Sequence, residues 1–301
     1  MGSEPPSLGA CMVLYRQRPA DVRRLVEATG AMVRHARRSG ALGPVHVGLG
    51  DCSPEPVFGT EEVDELAEAA AEGGLDGFAY EWFGDNLGAG GGVNRLALAR
   101  SDDFVLVLHP DTYPAPTALV RLLRPFVDPT VGAADARQLP VEHPKDFDPA
   151  TGDTSWVGGS FLLVRGELFR ALGGFDADHF FLCGADVDLS WRVRLEGLRT
   201  VHEPAAVVFR DERIEADATV AVPPAREYHA TLAHLLLAHR YGRPDLVAAT
   251  VEALATAGTD GERAATAEWR ARLDAGSLPE VVAGGGRVAQ FVDGHPARHR
   301  F

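Results

Sequence analysis

Short apolar runs alternate with segments of helical period from Cys11 to His109, and this alternation restricts the possible folds of the chain more than any other feature. The runs CMVLY, VHVGLG, DGFAYEWF and FVLVLH predict strands, and the segments between them predict helices. Such a sequence favours an α/β fold, a mostly parallel sheet flanked by helices. Because ligands bind beyond the carboxyl ends of parallel strands, we expect functional residues in the loops that follow strands.

The last part of the chain has a different pattern. After about Pro223 the sequence is rich in helical periods, and it ends in the glycine-containing stretch AGGGRVAQFVDGHPARHRF. We therefore expect an α/β domain over residues 1–215 and a helical C-terminal extension with a loose tail over 216–301. The extension could form an acceptor wall or the interface of a homodimer.

Charge and composition exclude several classes of protein. The formal net charge of −14 is opposite to the basic face that binds nucleic acid, so we expect no nucleic acid partner. No apolar run is long enough to span a bilayer, and the first residues lack the pattern of a signal peptide, so we expect a cytoplasmic protein with no transmembrane segment. The three cysteines are far apart in apolar surroundings, which is typical of buried thiols.

A glycine-rich stretch, DNLGAGGGVNR, follows the third predicted strand. Its glycines, including Gly88 and Gly91, allow close approach of a ligand to the backbone, and Asn86 and Asn94 frame them with amide groups. The stretch opens a predicted helix, whose N-terminus can bind phosphate. The spacing fits neither a Walker loop nor GxGxxG, so a flexible turn is an equal alternative.

Two further loops carry carboxylates. Asp111 follows the strand FVLVLH together with His109, where it could hold Mg or Mn on a diphosphate or cap a helix near Pro114. Asp186 and Asp188 stand at the start of an amphipathic run, where Asp186 could be a simple N-cap. Residues two apart do not share a helix face, so we expect Asp188 to orient the site or to pair with Arg192 or Arg194.

The order of these motifs resembles the inverting glycosyltransferases of family 2, which have the Rossmann-like GT-A fold. The series NLGxGGGxN, HPDT, GGSFLLVR, GGFD and ADVDLSWR extends over roughly Cys11 to Asp211, and it is most similar to rhamnosyltransferase-like members. The resemblance implies transfer of a sugar from a UDP- or dTDP-sugar to the hydroxyl of a carbohydrate or small-molecule natural-product acceptor.

The resemblance also implies roles for individual residues. Asp186 would be the general base, supported by Asp188, and Asp111 with His109 would hold a divalent cation, Mg or Mn. The nucleotide and the donor sugar would contact Asp51, Asn86, Gly88, Gly91, Asn94, Trp156, Gly158 and Gly159. His143 and Lys145, on a long polar loop, are candidates for the acceptor side, although a solvated loop is the simpler interpretation.

The chain departs from the family pattern at two places. Ala185 replaces the glutamate that precedes the catalytic aspartate, and Arg210 stands where a metal-binding histidine is common. We hypothesise that the Arg210 guanidinium contacts the diphosphate and weakens the requirement for a cation. These departures also leave open a catalytically silent relative that binds a nucleotide sugar or a glycan.

Overall fold

The computed structural model describes residues 4–142, 145–211 and 224–296. The strands are β1 (Leu8–Leu14), β2 (Val45–Asp51), β3 (Gly77–Trp82), β4 (Phe104–Leu108), β5 (Thr112–Pro114), β6 (Val131–Leu139), β7 (Asp153–Thr154), β8 (Phe161–Arg165) and β9 (Arg199–Arg210). The helices are α1 (Pro19–Arg38), α2 (Thr60–Glu72), α3 (Gly88–Ala97), α4 (Ala118–Leu123), α5 (Gly166–Ala171), α6 (Ala185–Leu195), α7 (Pro224–Arg240), α8 (Pro244–Ala257) and α9 (Asp260–Ala275).

The strands form one sheet in the order β3-β2-β1-β4-β8-β6-β9-β5, with β7 beside β9. The half from β3 to β4 is parallel, as the alternation of strands and helices predicts. Beyond β4 the sheet is mixed, because β8 lies antiparallel between β4 and β6, and β9 is parallel to β6 but antiparallel to β5. The α/β class is therefore confirmed, and the expected parallel arrangement holds for the first half of the sheet.

Helices cover both faces of the sheet. Successive side chains of β4 point to opposite faces, so Leu106 belongs to the cluster that contains α1, α2 and α4. Val105 and Val107 belong to the cluster that contains α3, α5 and α6. This two-sided burial explains why FVLVL is apolar at every position instead of at alternate ones.

The C-terminal helices pack directly on the α/β part of the chain. Val187 and Trp191 of α6 form a buried cluster with Leu236 of α7 and with Tyr241, the residue after α7. The rings of Trp191 and Tyr241 meet edge to face with centroids 4.6 Å apart. The extension thus shares a core with α6, while the expected boundary at 215 lies outside the described residues.

The sequence also predicts the absence of a transmembrane helix and the burial of the three cysteines. In the described ranges, no helix combines the length and the apolar character that crossing a bilayer requires. Cys11 and Cys52 are buried thiols, and Cys183 is half-buried. Burial raises the pKa of the Cys11 thiol to about 12, so this thiol is protonated and unreactive at neutral pH.

We expect Leu236→Ala to destabilise the whole chain by about 2–5 kcal/mol, because the substitution leaves a cavity in the core that α6 and α7 share. Leu236 is fully buried, whereas Leu273 on α9 is 48% exposed. Leu273→Ala is therefore the matched control, with an expected loss of about 0.5 kcal/mol or less. Urea unfolding measures both losses, and equal losses would contradict the shared core.

We expect the stability of the chain to fall as the pH drops from about 6.5 towards 4. Burial, with a smaller contribution from His295, lowers the pKa of His234 from 6.5 to about 4, so the folded state holds this imidazole neutral. The unfolded chain takes up a proton first, which costs up to about 3 kcal/mol of folding free energy by pH 4 and nothing above pH 6.5. Urea unfolding at several pH values should show a smaller acid loss for His234→Gln than for His239→Gln.

Candidate functional site

The carboxyl edge of the parallel half brings the predicted loops together. His109 follows the last residue of β4, and its backbone N–H donates to the carbonyl of Ser160 at 2.9 Å. Leu108 pairs with Phe161 across the antiparallel β4–β8 ladder, so the start of β8 lies at the same edge as the end of β4. The segment before β8, which contains Gly158 and Gly159, therefore lies beside the loop that carries Asp111.

Asp186 is fixed in the first turn of α6. The helix begins after Gly184, whose φ of 87° gives the left-handed conformation that glycine favours, so Asp186 is not the N-cap. Its carboxylate accepts hydrogen bonds from the Gly159 N–H at 2.7 Å and from the Val187 N–H at 3.0 Å. Its contact with Gly159 brings the predicted base to the segment that is predicted to line the donor sugar.

Asp188 has a different environment from Asp186. It is fully buried and pairs with Arg192 one turn later in α6, at 2.7 Å, as the sequence predicts. Two residues at the end of α7 also contact its carboxylate. Arg240, the last residue of the helix, places Nε at 3.2 Å, and the hydroxyl of Tyr241, the next residue, lies at 3.0 Å. Asp188 is therefore fully buried and placed to orient α6, and its supporting role for the proposed base stays a prediction.

Asp111 lies between two basic side chains. One carboxylate oxygen contacts His109 Nδ1 at 2.6 Å and accepts from the Thr112 hydroxyl at 3.0 Å. The other accepts from Arg210 Nη2 at 2.7 Å. Burial alone would raise the pKa of Asp111, but His109 and Arg210 hold it well below its usual value, so this carboxylate stays ionised. Asp111 does not cap α4, which starts at Ala118.

A buried charged cluster underlies the segment before β8. Asp135 on β6 accepts from the Gly158 N–H at 2.6 Å, pairs with the Lys145 ammonium, and contacts His202 Nδ1 at 2.8 Å. Burial opposes ionisation of Asp135, but Lys145 and His202 lower its pKa, so the charge is retained. The Lys145 ammonium also lies 4.1 Å from the centre of the Trp156 ring.

This cluster changes the interpretation of two predicted site residues. The Lys145 side chain is only 3% exposed, so it is an internal ion-pair partner and not an acceptor contact at the surface. Trp156 is 4% exposed and its ring contacts the Lys145 ammonium, so its role toward a donor sugar stays a prediction. His143, the other acceptor-side candidate, lies outside the described residues.

The glycine-rich stretch forms the first turns of α3 rather than an open loop. Gly88 has a φ of 69°, and a Cβ there would meet the Phe181 carbonyl oxygen at 2.5 Å. A Cβ on Gly91 would meet the Leu87 side chain at 3.2 Å, and one on Gly92 would overlap Val13 at 2.7 Å. These glycines allow α3 to pack closely on β1 and on the loop before α6.

The two asparagines of this stretch bind backbone groups. Asn86 accepts from the Gly88 N–H at 3.1 Å and so shapes the turn into α3. Asn94 donates to the Phe175 carbonyl at 2.7 Å and accepts from the Phe175 N–H at 2.8 Å. Asn94 thus joins α3 to the GGFD turn, and its role as a donor contact stays a prediction.

Asp51, the predicted nucleotide contact at the end of β2, is fully buried. Its carboxylate accepts from the backbone N–H groups of Ser53 at 2.9 Å and Val57 at 2.7 Å, and from the Tyr80 hydroxyl at 2.5 Å. Asp51 therefore organises the loop after β2, and in this arrangement it offers no exposed oxygen to a ribose.

The neighbouring loop after β1 contains residues that the sequence analysis did not select. Arg16 has a φ of 56°, a conformation that residues other than glycine rarely adopt, and its N–H donates to the Ser53 hydroxyl at 2.7 Å. Tyr15 is 45% exposed beside it. Unusual backbone conformations often occur at functional sites, but the positive φ of Arg16 has no signature in the sequence.

No family model matches the chain. An N-acetylglucosaminyl-diphospho-decaprenol L-rhamnosyltransferase from Mycobacterium tuberculosis is 26% identical over 205 aligned positions, which cover 52% of this chain and 66% of that protein. A pre-mycofactocin glycosyltransferase from the same organism is 30% identical over 141 positions, which cover 40% of this chain and 30% of that protein. The matched region is thus slightly under two thirds of the first relative and about a third of the second.

Solved structures show the same fold. The mannosyltransferase PcManGT from Pyrobaculum calidifontis, in complex with GDP-Man and Mn2+, has a TM-score of 0.56 at 17% identity, covering 89% of this chain and 81% of its own. GalNAc-T7 with UDP, GalNAc and Mn2+ has a TM-score of 0.59 at 13% identity, covering 91% of this chain and 55% of its own. The fold is that of the GT-A glycosyltransferases. In sequence the chain is a homologue of rhamnosyltransferases and other glycosyltransferases, which confirms the resemblance found in its motifs.

We expect Lys145→Met to destabilise the chain by about 3–5 kcal/mol, because it leaves the buried Asp135 carboxylate without its ammonium partner. Adding Asp135→Asn should recover part of that loss, since no unpaired buried charge then remains. Arg18→Met is the control, because it breaks an ion pair with Asp21 in which the arginine is 76% exposed. That control should cost less than about 1 kcal/mol in urea unfolding, and equal losses for the two single variants would contradict the prediction.

Proposed function

We propose that this chain is an inverting glycosyltransferase that transfers a sugar from a nucleoside-diphosphate sugar to an acceptor hydroxyl, with Asp186 as the general base. The observation that carries the proposal is the hydrogen bond from the Gly159 N–H to the Asp186 carboxylate. The next residue, Ser160, accepts from the His109 N–H, so one short backbone path joins Asp186 to the loop of Asp111. The first turn of α6 and the loop after β4 thus both contact the segment before β8, at the edge where α/β sheets bind ligands.

The chemistry requires a base on one side of the donor sugar and a positively charged group on the other. The acceptor oxygen forms a bond to the anomeric carbon while the bond from that carbon to the diphosphate oxygen breaks. Because a hydroxyl is a weak acid, its proton passes to Asp186 as the new bond forms and not before. The nucleoside diphosphate leaves on the opposite face, and the configuration of the anomeric carbon inverts.

The donor and the acceptor are proposed from the relatives. We propose a UDP- or dTDP-sugar as the donor, as the resemblance of the motifs implies, and a carbohydrate or a small-molecule natural product as the acceptor, since the relatives include a rhamnosyltransferase and a pre-mycofactocin glycosyltransferase. A homodimer through the C-terminal helices and a cytoplasmic location stay predictions. In the described part of the chain no third acidic, histidine or cysteine side chain joins Asp111 and His109 to make a metal site.

We expect Asp186→Asn to lower turnover by about a hundredfold or more, because general base catalysis supplies a factor of that size and an amide cannot accept the proton. Nucleotide affinity should stay within about twofold, since the amide oxygen can still accept from Gly159. The measurement is release of nucleoside diphosphate from a panel of UDP-, dTDP- and GDP-sugars, with and without candidate acceptors. Isothermal titration gives the affinities.

Asp178→Asn is the matched control, because Asp178 belongs to the same acidic stretch but is exposed to solvent. This variant should retain the activity of the unchanged protein. Nucleotide-sugar binding without turnover over the whole panel would contradict the proposed catalysis, and it would instead support a silent relative that only binds the sugar nucleotide. The replacement of the expected glutamate by Ala185 is the sequence feature that favours this second function.

A further inference from the structure

The ion pair between Arg210 and Asp111 occupies the place where the sequence resemblance predicts a cation. Arg210 is the last residue of β9, and it lies opposite Thr112 in the antiparallel β5–β9 ladder. The backbone also joins the two loops, because the Asp211 N–H donates to the Asp111 carbonyl at 2.9 Å. The guanidinium is 12% exposed and the carboxylate 27%, so the pair is held by the sheet at the rim of the site.

The residues around Asp111 do not fit a Mg or Mn site. Both of its carboxylate oxygens already contact donors, one with His109 and Thr112 and the other with Arg210. These cations prefer several oxygen ligands in octahedral geometry, and the described residues place no third ligating side chain there. A divalent ion on Asp111 would also lie within a few ångströms of a guanidinium, which is permanently charged.

The same pair fits a diphosphate. An arginine guanidinium presents its N–H groups in a planar fork that matches phosphate oxygens. Asp111 fixes the direction of that fork through its contact with Nη2 at 2.7 Å. The carboxylate is therefore better suited to hold the guanidinium than to hold a metal.

We propose that Arg210, positioned by Asp111, binds the diphosphate of the donor in place of a divalent cation, so that this chain binds its donor without metal. The inference rests on the proposed function, since it assumes a nucleoside-diphosphate sugar as the donor. It reverses the role of Asp111 from metal ligand to positioning residue, and this reversal makes the two interpretations separable by experiment.

The test compares the affinities of the nucleoside, the monophosphate and the diphosphate of whichever nucleotide binds, by isothermal titration with EDTA or with Mn²⁺. For the unchanged protein, the diphosphate affinity should differ by less than about threefold between EDTA and Mn²⁺. Arg210→Gln should weaken diphosphate binding by about tenfold or more, the size expected for a lost charge-assisted hydrogen bond, and should leave nucleoside binding unchanged. Electron paramagnetic resonance of Mn²⁺ should show no binding to the protein alone.

Asp111→Asn gives the sharpest distinction. If Arg210 binds the diphosphate, Asp111→Asn should maintain or increase the diphosphate affinity, because the amide oxygen can still accept from Arg210 Nη2 and hold the guanidinium, while the negative charge that repels the phosphates is lost. If a cation binds there, the same change should abolish the effect of Mn²⁺ and weaken binding. The titrations of Asp111→Asn and of the unchanged protein therefore distinguish diphosphate binding by Arg210 from binding through a cation, even if Arg210→Gln fails to fold.

Arg199→Gln is the control variant, because Arg199 lies on the same strand at its other end and pairs with Asp128 at 3.1 Å. It should leave all three affinities unchanged. Binding that Mn²⁺ tightens at least tenfold, with the gain lost in Asp111→Asn, would overturn the inference alone. Absence of nucleotide binding under both conditions would overturn the proposed function and the inference with it.

Discussion

Two neighbouring backbone N–H groups hold the centre of this molecule together. Gly158 donates to Asp135 on β6, and Gly159 donates to Asp186 at the start of α6. A Cβ on either glycine would lie 3.3–3.4 Å from the carboxylate that it faces, so larger residues would crowd both contacts. A single turn of backbone thus fixes one carboxylate from the sheet and another from a helix, and the geometry of the candidate site depends on it.

The two carboxylates differ in what neutralises them. Asp135 lies among Lys145, His202 and Trp156, where burial and ion pairing make it a rigid internal support. Asp186 is bound by backbone N–H groups at a helix N-terminus, where the helix dipole favours negative charge. Both carboxylates are buried, but Asp135 keeps its charge through ion pairs, whereas the oxygen atoms of Asp186, which is 5% exposed, are directed by backbone N–H groups.

The sequence predicted the parts of the fold that depend on local pattern. The strands and helices up to β4 followed from periodicity, and the pairing of Asp188 with Arg192 followed from helical spacing. The antiparallel position of β8 depends on pairing between distant segments, which no local pattern records. For the same reason the contact of His202 with Asp135, 67 residues away, could not be found, although each residue is polar within an apolar strand.

The motifs located the site, but they did not show which groups each of its residues contacts. Asn94 and Asp51 stand where the resemblance requires them, yet their side chains are occupied by backbone groups of neighbouring loops. A sequence shows that a polar group is present, and only the folded chain shows which partner has taken it. The sequence also does not predict the positive φ of Arg16, because this conformation accompanies a contact between two loops, the hydrogen bond from the Arg16 N–H to the Ser53 hydroxyl.

The contact of Tyr241 with Asp188 also concerns the order in which the chain is made. The Tyr241 hydroxyl reaches a carboxylate 53 residues earlier in the sequence, and Arg240 lies beside it. A chain that leaves the ribosome from its N-terminus therefore produces α6 before these two partners of its buried acid exist. The α/β part can form early, but its central helix gains its full set of neighbours only when synthesis has passed the end of α7.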